Sequence, residues 1–245
     1  MTKTILTLGV AGVTGWSAQA AAITWDDPVT TTHENDIQSD VFAAFNLRNQ
    51  NVSVDVNTNG SDVTFVSVDG GGDIVSGGVT LKRVSGFSSS TSLNVWAGSP
   101  TDGDFNTVMD SFAHTPAGTP ATATITLSGL TAGQTYSVQL FASDIRGGIG
   151  NTRSIKFNDG LGNTTQEVAQ STSPYFIGTF IADVGGVQTI YGVSNQINNG
   201  NEGGSVIINA VTLAVVPEPS SWALLGLGGL LMLRRRSAPG ARRRR

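Results

Sequence analysis

From residue 121 to residue 144 the chain reads ATATITLSGLTAGQTYSVQLFASD, with apolar side chains at every second position on both sides of a short turn. Ile125 and Leu127 alternate with Thr124 and Thr126, and Tyr136, Val138 and Leu140 alternate with Thr135, Ser137 and Gln139. Successive side chains of a strand point to opposite faces, so this spacing gives each segment one apolar and one polar face. A helix would scatter the same residues around its axis. Two strands are expected, with Ile125, Leu127, Tyr136 and Leu140 in one core and Gln139 on the wet face. A charge at 140 should then unfold the domain, while one at 139 should pass nearly unnoticed.

Short runs of this kind, separated by Gly, Asn, Asp and Ser, recur from 23 to 215 without a sustained helical period. Candidate strands cover 51–56, 62–68, 78–84, 91–97, 121–127, 134–143, 152–157, 175–182, 187–193 and 205–215. One short helix is expected at 37–47, where Ile37, Val41, Ala44 and Phe45 can share a face. The last run, SVIINAVTLAV, is apolar on both faces and suits a central strand. The expected fold is all-β, a single antiparallel β-sandwich of jelly-roll type spanning 23–215, with no internal repeat.

Both ends of the chain differ from this body. Residues 1–22 carry Lys3, then an apolar stretch, then Ala18-Gln19-Ala20 and Ala20-Ala21-Ala22, two overlapping sites of small residues. The pattern is that of a secretory signal peptide, removed by signal peptidase after export through the secretion machinery. The other reading of this stretch is a first strand of the domain.

At the far end the chain reads VPEPSSWALLGLGGLLMLRRRSAPGARRRR, a rigid Pro217-Glu218-Pro219 followed by an uncharged apolar run and then seven arginines. Each proline fixes φ and removes a backbone donor, which holds the tripeptide extended. The apolar run 221–233 is expected to enter the membrane as a short helix, while Arg234, Arg235 and Arg236 stay on the cytoplasmic side. Residues 237–245 form an arginine-rich cytoplasmic tail. Thirteen residues at about 1.5 Å each span roughly 20 Å, against a hydrocarbon core of about 30 Å. So short a span suits a transient handle better than a permanent anchor.

Charge follows the same division. The whole chain carries a net charge of −4, but the body from 23 to 215 holds six basic and seventeen acidic residues, a net of −11. Such a body argues against nucleic acid or anionic lipid as its partner. The chain has no cysteine, so no disulfide can brace an exported domain and no thiol chemistry is available.

The tail resembles the PEP-CTERM sorting signal of Gram-negative bacteria that make extracellular polysaccharide, over residues 216–236. That resemblance implies an inner-membrane precursor, recognition and cleavage at Pro217-Glu218-Pro219 by an exosortase, and delivery to the cell surface or extracellular matrix. In the body, residues 121–144 locally resemble a fibronectin type III strand pair, with Tyr136 placed to reach back across the turn as in a tyrosine corner. Residues 127–163 are similar to the galactose-binding-like jelly rolls found in PEP-CTERM proteins.

Chemistry-bearing residues are sparse. His33 and His114 stand in polar contexts, and there is no G-x-S-x-G elbow, H-E-x-x-H or paired histidine spacing. A noncatalytic structural or adhesive role is therefore expected, with a carbohydrate-binding module as the alternative and a glycan-active enzyme as a more distant one. Asp102, Asp104, Asn106 and Asp110 set oxygen ligands at alternate positions, as a loop wrapping calcium would, although a solvated turn has the same composition. Asp69 and Asp73 offer a weaker version of the same arrangement. Trp96 stands before this loop and Phe105 within it, and both are candidates for a glycan platform or for the core. Asp144, Arg146 and Arg153 bracket a Gly-Gly loop, where the aspartate could serve simply as a turn former.

Overall fold

The computed structural model describes residues 21–47, 53–67, 72–82, 88–90, 93–118, 120–146, 152–197 and 203–217. Nearly all of the expected signal peptide, the Asp69 arrangement in part, and everything from Glu218 onward, including the apolar run 221–233 and the arginines, lie outside those residues.

In chain order the strands are β1 (Thr24–Trp25), β2 (Val29–Thr30), β3 (Val41–Asn46), β4 (Ser53–Thr58), β5 (Ser61–Val66), β6 (Ile74–Ser76), β7 (Val79–Lys82) and β8 (Ser88–Ser90). A helix α1 (Gly103–Met109) follows, then β9 (Phe112–His114), β10 (Ala121–Ser128), β11 (Thr135–Phe141), β12 (Ser154–Asn158) and β13 (Val168–Ala169). The remaining strands are β14 (Pro174–Ile181), β15 (Val187–Ser194), β16 (Ile207–Ile208) and β17 (Ala210–Val215). Single 3-10 turns occupy Glu34–Asp36 and Gln170–Thr172.

The strands form an eight-stranded sheet ordered β1-β14-β11-β17-β3-β5-β4, with β2 also paired to β14, and a six-stranded sheet ordered β13-β12-β15-β10-β7-β6. A small third sheet is ordered β16-β9-β8. Pairings are antiparallel except for β3 with β5. Tight turns set the register locally: Asn59-Gly60 joins β4 to β5 and Gly77-Gly78 joins β6 to β7, all four residues at positive φ, as the preferred two-residue hairpin requires.

The inner faces of the two larger sheets share one core. Phe45, Tyr136, Val138, Leu140, Phe176, Phe180, Val211 and Leu213 from one sheet meet Leu81, Ile125, Leu127, Ile155, Phe157 and Ile190 from the other. Ile125, Leu127, Tyr136 and Leu140 thus lie together as expected. The two strands that carry them belong to different sheets, however, since β10 pairs with β15 and β7 while β11 pairs with β14 and β17. The turn between them is a corner from one sheet to the other, and the Thr131 N–H donates to the Tyr136 hydroxyl at 3.0 Å. β17 lies between β11 and β3 with its first five residues buried, the central position its two apolar faces suggested.

The large sheet is also covered on its outer face. Ile37, Trp96, Phe105, Val108 and Met109 pack there against Ala44, Val54, Val56, Phe65 and Phe141. This second layer explains three departures from the sequence expectations. The stretch 37–47 contains strand β3, not a helix: Ala43 and Phe45 face the inner core and Ala44 the outer one, so burial of both faces erased the two-residue period. Of the expected strand 91–97, residues 93–97 are described and carry no strand; they are held by hydrogen bonds from Ile145 N to Val95 O and from Val95 N to Asp110 Oδ1.

Gln139, expected on a wet face, is fully buried. Its amide accepts from Gln38 N at 2.9 Å and donates to Asp36 O at 2.7 Å, because the segment around Gln38 lies over that face.

Candidate functional site

β11 ends at Phe141, and residues 142–146 run on through the interior as a polar spine. Ser143 N donates to Asn209 Oδ1 at 2.6 Å and Ser143 Oγ to Val95 O at 2.7 Å. Asn209 Nδ2 donates to Met109 O at 2.7 Å and Ser111 O at 3.2 Å, so one buried amide ties the end of α1 to the spine. A buried amide must find partners or cost free energy, and here the partners come from two separate segments, the end of α1 and the spine.

The next residue, Asp144, is wholly buried. Arg146 grips it through two bonds, Nε to Oδ1 at 2.7 Å and an Nη to Oδ2 at 2.9 Å, the bidentate geometry natural to a guanidinium. Arg153 adds an Nη1 to Oδ2 approach of 3.7 Å and donates Nε to Gly203 O. Asp144 also accepts from Arg146 N, so it serves as a turn former and an ion-pair partner at once. The Arg146 guanidinium lies 5.1 Å from the centre of the Phe112 ring.

His114 lies on β9, its Nδ1 buried and without a hydrogen-bond partner among the described residues. Burial first, and then the charges of Arg146 and Arg153, hold its imidazole below the usual histidine range, with Asp144 opposing. These groups open onto a cavity of about 410 Å³ lined by Leu93, Phe112, His114, Thr115, Arg146, Arg153 and Ser205, among others. On the other side of the spine a shallower cavity of about 320 Å³ is lined chiefly by hydroxyls, from Thr30, Thr31, Thr32, Ser171, Thr172 and Ser173. The first cavity offers cationic and neutral donors beside an apolar wall; the second offers hydroxyls beside Ala97, Gly98 and Ile145. Among the described residues that line them, neither has the nucleophile and base pair of acyl transfer, nor two facing carboxylates.

The acidic stretch after Ser99 is a capped helix, and its carboxylates do not converge. Asp102 is the N-cap of α1: its Oδ1 accepts from Asp104 N at 2.7 Å and its Oδ2 from Asn57 N at 2.7 Å, which fastens the helix to β4. Asp110 is the C-cap at the opposite end and accepts from Val95 N. Asp104 and Asn106 are exposed on the helix between them. Among the described residues no three His, Cys, Asp or Glu side chains form a metal-holding group. Alternate spacing would have converged in a loop; a helix turns the same residues around its axis.

Trp96 and Phe105 are not an exposed platform. Both are buried in the outer core with ring centres 5.1 Å apart, edge to face, and Trp96 Nε1 donates to Thr31 O. Of the sorting residues only Pro217 is described; it is exposed, two residues beyond the end of β17. Asn209 escaped the sequence reading, which named Asp144, Arg146 and Arg153 together but not the ion pairs that join them. An amide interrupting the apolar run SVIINAVTLAV was the available signal for Asn209.

Residues 215–237 match the family described as the PEP-CTERM protein-sorting motif. That motif implies an exosortase-sorted, exported surface protein. No curated protein matches the chain. Among solved structures, the enzymatically active domain of tailspike protein 4 of bacteriophage CBA120 aligns at 12% identity and a TM-score of 0.24. The alignment covers 80% of this chain and 19% of that one. Among the described residues no helix is long and apolar enough to cross a membrane.

Proposed function

We propose that this is a noncatalytic cell-surface or extracellular-matrix protein with a structural or adhesive role, made as an inner-membrane precursor and processed by an exosortase. The observation that carries the reading is the junction between body and sorting motif. The fold closes with Val216 N donating to Thr135 O at 3.0 Å, and Pro217 is exposed immediately afterwards. A folded body can therefore present the motif to a membrane enzyme without unfolding. The anchor would be the short helix 221–233 with Arg234, Arg235 and Arg236 on the cytoplasmic side. The two large sheets with their shared core fit a single jelly-roll-like sandwich.

Fractionation of an exosortase-bearing host tests the reading. The body should appear at the surface or in the matrix, and truncation from Pro217 should alter where it accumulates. A body retained in the cytoplasm would refute export.

A second reading, a carbohydrate-binding module, is favoured by the cavity beside Arg146, Arg153 and His114, whose mixed polar and apolar lining suits a sugar ring. A glycan-array screen with and without calcium tests it. Binding lost on Leu93→Trp, which would fill the cavity, supports this reading, and no binding to any glycan excludes it.

A further inference from the structure

We infer that the leader is cut after Ala20, and that the new amino terminus at Ala21 is a working part of the fold. The inference rests on the export reading above. Sequence alone offers two cuts, after Ala18-Gln19-Ala20 and after Ala20-Ala21-Ala22. Contacts at the start of the body separate them. Ala21 N donates to Gln188 Oε1 at 3.1 Å, and Ala21 O accepts from Gln188 Nε2 at 3.1 Å, a two-point clamp on one backbone unit. Gln188 is fully buried on β15 and its Nε2 also donates to Thr189 O at 3.0 Å, so removal of Ala21 would take from its Oε1 the backbone donor that it has here.

Two residues on, Ile23 N donates to Asp159 Oδ2 at 3.0 Å, with Ile23 and Asp159 each 1% exposed. Thr24 and Trp25 then pair with Thr179 and Gly178 on β14. Residues 21–25 thus tie β15 and the end of β12 in the smaller sheet to β14 in the larger one. Removing Ala21 and Ala22 would delete the first of these ties.

The Ala21 position can carry the charge that cleavage creates. Water adds to the Ala20 carbonyl, the Ala20–Ala21 amide bond breaks, and a carboxylate remains on the leader while an ammonium forms on Ala21. Ala21 is half-buried, so its ammonium can meet water and still donate to Gln188. A cut after Ala22 would instead place the ammonium on the buried nitrogen of Ile23. The Asp159 carboxylate facing that nitrogen is already held by Asn163 Nδ2 at 2.6 Å, Leu161 N at 2.8 Å and Asn163 N at 3.1 Å. Its turn supplies the dipoles it needs without an ammonium.

The test is amino-terminal sequencing of the full-length chain after export from a Gram-negative host. The expected sequence is Ala-Ala-Ile-Thr-Trp; Ile-Thr-Trp-Asp would overturn the inference while leaving export intact, and an uncut cytoplasmic chain would overturn both. Ala22→Leu, at an exposed position, should leave the Ala21 terminus in place, whereas Ala18→Phe should abolish it. The reverse pattern would contradict the assignment. Gln188→Leu should lower the thermal midpoint of the exported protein by several degrees, and an unchanged midpoint would sink the clamp.

Discussion

The Tyr136 hydroxyl and the Thr131 N–H, joined at 3.0 Å, fix the corner at which the chain passes from the six-stranded to the eight-stranded sheet. The Tyr136 ring itself lies in the shared core against Phe42 and Phe180, at centroid distances of 5.8 Å from each. One side chain therefore sets both the packing of β11 and the path of the turn before it. Tyr136→Phe keeps the ring and leaves Thr131 N without its acceptor, so a loss of about 1 kcal/mol is expected, read as a lower midpoint in urea with an unchanged slope. An unaltered midpoint would remove the hydroxyl from the account of the corner.

At the next alternation, Leu140 faces the shared core and Gln139 the covered outer face. Leu140→Asp should abolish folding, since an unpaired buried charge costs an amount comparable with the whole stability of a domain. Gln139→Asp should also destabilise, by roughly 1–3 kcal/mol, because it loses the donor to Asp36 O and brings a charge beneath the segment around Gln38. Circular dichroism melts of both variants decide this, and a silent Gln139→Asp would mean that the covering segment does not close over β11.

Strand periodicity was legible wherever one face alone was apolar. Hence β10, β11, β14 and β15 fell where the alternation placed them, and β17 was recognised as central from its two apolar faces. β3 was hidden because a second layer buries both of its faces. Helix α1 was hidden because it is only seven residues long and starts at Asp102-Gly103-Asp104, which has the composition of a turn, and its N-cap Asp102 reads equally as a metal ligand. The polar spine was the least legible part. Asp144, Arg146 and Arg153 stand close together in sequence, but no local pattern announces that the aspartate is buried between the two arginines or that His114 and Asn209, from distant segments, join them.

Asp144 carries the charge that two guanidinium groups face. Asp144→Asn should destabilise by the order of 3 kcal/mol, since losing one member of a buried ion pair leaves the other charge uncompensated. A loss below about 1 kcal/mol, the size of one ordinary hydrogen bond, would place the stability of this end of the fold in packing alone.

Asp102→Ala should cost about 1 kcal/mol through loss of the helix cap, with further loss from the Asn57 link. The decrement should be the same in calcium and in chelator. A decrement present only in calcium would restore the metal reading of Asp102, Asp104, Asn106 and Asp110.

His114 gives stability a pH dependence. Its folded-state value lies below the usual 6.5, so between the two values the unfolded chain binds more protons, and stability rises with pH. The contribution is fully present above 6.5 and is lost as pH falls below it. Glu34 adds a second step lower down. Burial opposes its ionisation, but hydrogen bonds from Thr101 and its own backbone N–H, with the charge of His33, hold its carboxyl below 4.5, so its contribution is lost as acid protonates it. Thermal midpoints taken from neutral to acid pH should fall in these two stages, and His114→Asn should flatten the first. A midpoint that rises on acidification through 6.5 would contradict the burial of the imidazole.

Sorting through the C-terminal segment is tested most directly by following the apparent mass and membrane association of the full-length chain, with and without Pro217→Ala plus Pro219→Ala, in a host that carries an exosortase. The unaltered chain should be converted to a shorter form that leaves the inner membrane, while the doubly substituted chain should accumulate there at full length. Equal maturation and release of the two would contradict recognition of the Pro-Glu-Pro segment.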